Sequence, residues 1–226
     1  MKKYFLFIVF ALSAGHVSWS QNQSVAVDSS KFSVYWWHSK DMYDHLPDIK
    51  NEIVFLGNSI TDGMEWSELL GNKKCINRGI SADITEGILI RLDAITKLQP
   101  AKLFIMIGVN DLSRNMTPEE VAANYRKILE RVKSETPRTK VYVESVLPVN
   151  PATGMALNHT NKTPQIMELN GILKELAAEF GYTYIDLFSV MADANNYLPR
   201  KCSIDGLHLT YEGYRIWAEA IKEYVK

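Results

Sequence analysis

Cysteine is nearly missing from this chain: Cys75 and Cys202 are the two in 226 residues. So few exclude a disulfide scaffold and a multi-cysteine zinc site, though an oxidising compartment would permit one pair. No block of one charge sign exists either. Lys plus Arg (25) nearly cancels Asp plus Glu (26), so nothing predicts general attraction to nucleic acid or to an anionic membrane. Internal repeats and low-complexity tracts are absent. Beyond Ser20 no apolar run approaches the ~20 residues that a membrane-spanning helix needs, and no membrane insertion is expected. What remains is an ordinary globular balance, 46% apolar and 23% charged, with ample length for a buried core.

The first residues differ from the rest. Lys2 and Lys3 precede the apolar run "YFLFIVFALSA", and "SWS" then sets small residues at Ser18 and Ser20. That order predicts a secretory signal peptide over residues 1–20, cut after Ser20, and hence a secreted or periplasmic product. Residues 21–50 follow as a segment packed on the core, with "KFSVYWWHSKDMYDHLP" forming a short helix that ends before Pro47. Tyr35, Trp36 and Trp37 read as packing residues in preference to a sugar-stacking face.

Residues 51–226 form the main domain. "EIVFLG", "KCINRG", "AKLFIMIG", "TKVYVESVLP" and "YTYIDLF" are short apolar or β-branched runs closed by turn residues, the pattern of strands. Between them apolar residues recur at helical spacing: Ile84, Ile88, Leu92 and Ile95, then Val121, Tyr125, Ile128, Leu129 and Val132. Ile166, Leu169, Leu173, Leu176, Ala177 and Phe180 form a third stripe, and Tyr214, Trp217, Ala218 and Ile221 a fourth. Thr117-Pro118-Glu119-Glu120 is a helix start with a cap, a proline and acids in the first turn. Strands alternating with helices predict an α/β fold: three α/β/α layers around a flavodoxin-like, doubly wound, five-stranded parallel sheet. Such sheets bind ligands outside the carboxyl ends of their strands.

Chemistry-bearing residues stand at those ends. "GNSIT" sets Ser59 past the first strand, "NRG" sets Gly79 past the second, and "GVND" sets Asn110 past the third. After the last strand, "DGLH" holds Asp205 three residues before His208. Each alone has an ordinary structural reading as a cap or turn residue. Together they are the parts of acyl transfer. A serine hydroxyl needs a base to take its proton. Histidine suits that task, and a carboxylate on its second ring nitrogen fixes the tautomer. The amides of Ser59 and Gly79 with the Asn110 side chain would supply oxyanion donors. If His208 must be neutral, activity should fall below about pH 6.

At these residues the chain resembles the SGNH hydrolases, also called the GDSL esterase/lipase family, named for Ser, Gly, Asn and His in four separate blocks. The resemblance covers residues 50 to 224. It implies Ser59 as nucleophile, Asp205 and His208 as the rest of a triad, and Ser59, Gly79 and Asn110 as the oxyanion hole. No metal or cofactor is implied. Asn58 departs from the family's Asp, keeping its shape and hydrogen-bonding reach without its charge. Asn58 and Arg78 are candidate substrate contacts, Arg78 reading equally well as an exposed structural arginine. "IVFLGNSITDG", "NRGISADIT" and "LFIMIGVNDL" further resemble the branch with platelet-activating-factor acetylhydrolase-like and carbohydrate acetylesterase members. The expected partner is therefore a small-molecule or glycan ester carrying a short acyl group. The alternatives are a lysophospholipase or thioesterase for longer chains, and a secreted carbohydrate-binding protein without activity. The loop "PVNPATGMALNHTNKTP" is long and polar, as a substrate-facing loop would be; its His159 reads as a solvated loop histidine.

Overall fold

The computed structural model describes residues 28–226; the expected signal peptide lies outside them. Five strands, β1 (Ile53–Gly57), β2 (Cys75–Gly79), β3 (Lys102–Met106), β4 (Lys140–Glu144) and β5 (Thr183–Ile185), form one sheet in the order β2-β1-β3-β4-β5. Every pairing is parallel, and helices cover both faces, so the sheet is the doubly wound one predicted. The three inner strands β1, β3 and β4 are rich in Val, Ile, Leu and aromatic residues because both of their faces must be apolar.

The two faces differ in what fills them. On one, register sets Phe55 beside Phe104 and Phe104 beside Tyr142, and their rings stack at 4.9 and 4.5 Å. Trp66 stacks on Phe55 at 4.2 Å and meets Trp217 of the last helix, Tyr211–Ile221. On the other lies the helix Pro118–Glu135, which buries Val121, Tyr125, Ile128, Leu129 and Val132, its predicted stripe. Thr117 and Glu120 exchange hydrogen bonds in a capping box, worth about 1 kcal/mol. The helix Thr163–Phe180 packs alongside it and buries Ile166, Leu169, Leu173, Leu176 and Ala177. The stripe Ile84–Ile95 is wholly buried, but over two short helices, Thr85–Arg91 and Asp93–Thr96, divided at Leu92. There the Leu92 carbonyl accepts from both Ile95 and Thr96.

A helix over Val34–His45 precedes the sheet, capped by Ser33. Trp36 is buried with Phe32, Ile80 and Ile84, whereas Tyr35 is exposed. Cys75 and Cys202 are both buried and free.

Register also sets the level of the carboxyl ends. Gly57 pairs with Gly79 on one side and with Met106 on the other. The segments that leave β1, β2 and β3 therefore start side by side.

Candidate active site

Ser59 is the first residue of a single helical turn, Ser59–Asp62, that begins two residues after β1. Asn58 caps the turn, its Oδ1 accepting from the Ile60 amide at 3.0 Å. Ser59 is left half-buried with Oγ 3.0 Å from His208 Nε2. His208 Nδ1 lies 2.7 Å from Asp205 Oδ2. A carboxylate only accepts, so the Nδ1 proton points at Asp205 and Nε2 is free to take the serine proton.

Asp205 and His208 occupy a tight loop closed by a bridge between Ser203 and Leu209. Asp205 Oδ1 accepts from the amides of Leu207 and His208 at 2.9 and 2.8 Å, which folds the loop around the carboxylate. Partial burial raises the Asp205 pKa, but the His208 ring and those two amides outweigh it and hold the carboxyl at about 2. The acid is thus ionised wherever the histidine works.

Asn110, in the turn Val109–Ser113, is buried and donates Nδ2 to the Asp83 carbonyl at 2.8 Å. Gly108 starts this turn at φ 131, a conformation that favours glycine. Asp83 is itself buried between Arg91 Nε at 2.8 Å and Trp36 Nε1 at 2.7 Å. Arg91 also donates to the Arg78 and Gly57 carbonyls at 2.9 and 3.1 Å. One buried ion pair therefore ties the ends of β1 and β2 to the residue that holds Asn110.

The expectation for Gly79 requires correction. Its amide already donates to Asn77 Oδ1 at 2.7 Å, and its carbonyl accepts from the Tyr43 hydroxyl at 2.9 Å. A side chain here would strike the Thr61–Asp62 backbone, at 2.3 Å from the Asp62 nitrogen. Glycine is needed because β2 approaches the Ser59 turn closely, not to admit substrate. Further along, the Ile80 and Asp83 amides donate to backbone carbonyls, and those of Ser81, Ile84 and Thr85 donate to carboxylates. The amide of exposed Ala82 has no acceptor among the described residues. Ala82 sits at φ 65, the left-handed region where glycine is the usual occupant.

The model of the GDSL-like Lipase/Acylhydrolase family matches residues 55–216. The chain belongs to that family. Platelet-activating factor acetylhydrolase IB subunit alpha1 of Rattus norvegicus is 27% identical over 203 residues, covering 85% of this chain and 81% of the relative. The alpha2 subunit from the same organism is 25% identical over 173 residues, covering 74% and 72%. A solved chain from Streptococcus pneumonia superposes with a TM-score of 0.78 at 27% identity, covering 85% of this chain and 93% of the other.

For this GDSL-family chain the expectations for three further residues change. Asn58 and Arg78 were candidate substrate contacts, and both are buried. Asn58 is consumed as the cap of the Ser59 turn, a task its amide oxygen performs without a charge. Arg78 lies under the Tyr43 ring at 4.8 Å and donates to the Asn77 carbonyl, which also removes the reading as an exposed arginine. His159 is no solvated residue: it is half-buried with Nε2 3.0 Å from Asn110 Oδ1. A cleft of about 230 Å³ opens beside Ala82, bordered by Lys31, Ser33, Trp36, Ser81 and Arg114. Among the described residues no three His, Cys, Asp or Glu side chains gather as a metal site would require, and no helix is long and apolar enough to cross a membrane. Sequence patterning missed Ala82 and His159. Alanine carries no mark of positive φ, and the contact of His159 with Asn110 spans 49 positions. The one available signal was the polarity and length of the loop around His159.

Proposed function

We propose that this GDSL-family protein is an exported serine esterase that removes short acyl groups, acetyl foremost, from a carbohydrate or similar hydroxyl-rich compound. The observation that carries the chemistry is the run of contacts Ser59 Oγ to His208 Nε2 to Asp205, at 3.0 and 2.7 Å. In this reading His208 Nε2 takes the Ser59 proton as Oγ attacks the ester carbonyl. The imidazolium that forms is stabilised by Asp205. His208 then protonates the departing alcohol, leaving an acyl-enzyme. Water, deprotonated by the same ring, releases the acid.

The negative charge on the tetrahedral carbonyl oxygen is met by the amides of Ser59 and Ala82 and by Asn110 Nδ2. Each such donor is worth about 3 to 4 kcal/mol of barrier. Ala82 replaces Gly79 in this role because its amide has no acceptor among the described residues.

Acetyl preference draws support from the relatives, two of which are named acetylhydrolases. Support for a hydroxyl-rich leaving group comes from Lys31, Ser33, Ser81 and Arg114, which border the neighbouring cleft together with the rings of Phe32 and Trp36, a mixed lining where a long acyl chain would want an apolar groove. Export rests on the charge and apolar pattern of residues 1–20. Two assays test the reading. On 4-nitrophenyl esters the rate should fall from acetyl to octanoyl, and a rise along that series would overturn the short-chain assignment. Acetate release from a panel of acetylated xylo-oligosaccharides, sialic acids and glycans, with Ser59→Ala as control, identifies the substrate; a panel with no response contradicts a carbohydrate ester.

A further inference from the structure

We propose that His159 is a positioning residue that orients and polarises the Asn110 amide; this rests on the esterase reading above. The Asp83 carbonyl can only accept, so the Asn110 atom 2.8 Å from it is the Nδ2 donor. That fixes Oδ1 on the other side of the amide, 3.0 Å from His159 Nε2. An amide oxygen also only accepts, so His159 Nε2 carries a proton and donates it. Asn110 is thus gripped at both ends, by Asp83 through nitrogen and by His159 through oxygen. One Nδ2 proton remains for a substrate oxygen. Donation into Oδ1 draws electron density through the amide and makes that remaining N–H a stronger donor.

The loop carrying His159 is fastened across the site. Near its start the Asn150 amide donates to the Gly206 carbonyl at 2.8 Å, and Thr153 Oγ1 donates to the Asp205 carbonyl at 2.9 Å. It is therefore tied to the segment that holds Asp205 and His208. Ala156 then takes a left-handed conformation, φ 47, and starts the single turn Leu157–Thr160. A non-glycine residue in that region is strained and persists where its surroundings hold it. Fully buried Thr160 does so, donating Oγ1 to the Met155 carbonyl at 3.1 Å. The strained turn presents His159 to Asn110. The groups facing the ring are His208, Arg114 and Asp205. Partial burial, with the nearby His208 and Arg114, favours the neutral ring, and Asp205 opposes them.

The test compares wild type, His159→Ala and His159→Gln, whose side-chain nitrogen can still donate to Oδ1, using 4-nitrophenyl acetate and melting curves to confirm folding. His159→Ala should lower kcat about tenfold while KM stays within about twofold, and His159→Gln should recover most of the loss. An unchanged kcat in His159→Ala, a loss confined to KM, or a Gln variant as impaired as Ala would each overturn the role. A readout independent of turnover is the ring tautomer, from long-range 1H–15N spectra of histidine-labelled wild type. A proton on Nε2 is expected, and an Nδ1–H neutral ring contradicts the proposal. Should wild type hydrolyse no ester at all, the esterase reading fails, and the tautomer still decides whether His159 donates to Asn110.

Discussion

The two sides of the Ser59 pocket are built by opposite means. On one side, Asp205 and His208 share a seven-residue loop closed by the Ser203–Leu209 bridge. The His208 side chain is 50% exposed and that of Asp205 25%. On the other side, Asn110 is held through Asp83, whose ion pair with Arg91 has side chains 0% and 1% exposed. Arg91 and Trp36 extend that network to β1, β2 and the N-terminal helix. In the proposed mechanism the proton-transfer side is local and partly solvated, whereas on the oxyanion side Asn110 is held by a long-range, buried network and Ala82 beside it is exposed. A ring that must gain and lose a proton is solvated and oriented by one acid. In the proposed mechanism Asn110 is a donor held by buried partners, the preorganisation that makes such donors effective.

This contrast predicts that damage on the two sides separates activity from stability. Asp205→Asn should lower kcat by about 10⁴-fold through loss of the tautomer-fixing acceptor, with a melting temperature close to wild type. Asp83→Ala should act the other way round, leaving Arg91 charged, buried and unpaired at a cost of about 3 to 5 kcal/mol, roughly 10 °C in melting temperature. An Asp83→Ala protein as stable as wild type would break the comparison.

A third change probes burial without touching either side. Glu144, at the end of β4, is fully buried, accepts from Trp217 Nε1 at 2.7 Å, and is pushed by burial to about 8. The folded state therefore holds this proton more tightly than the unfolded chain. Its contribution is fully present in acid and is lost as pH rises from near 4.5 to about 8. Glu144→Gln keeps the acceptor and removes the titration. It should gain on the order of a few kcal/mol over wild type at pH 8 and little at pH 5. An equal difference at both values would contradict burial as the cause. The smallest effect is expected at Ala82. Glycine there relieves the positive φ, so Ala82→Gly should gain about 1 kcal/mol. A variant that loses stability would show that the alanine side chain contributes contacts.

How far the sequence could be read follows the same division. The strands were legible because a parallel sheet demands continuous apolar runs, and the helix after Thr117 because cap, proline and acids all agree. Asp205 and His208 were legible because their contact spans three residues. The oxyanion side was not. Gly79 looked like a donor because glycine after a strand suggests close approach; the approach is real, but it is made by the Thr61–Asp62 backbone. The amide left without an acceptor among the described residues belongs to Ala82, whose positive φ no alanine announces. Arg78 was read as outward because nothing in its neighbours shows that Tyr43 from the helix Val34–His45 covers it. Asn58 was read as a contact for want of knowing that Ile60 would claim its oxygen.

The direct test of the account is fluorophosphonate labelling followed by mass spectrometry of the intact protein and its peptides. One adduct per chain is predicted, located on Ser59 and absent from Ser59→Ala. Wild type that takes no label, or Ser59→Ala that labels as fast, would contradict it.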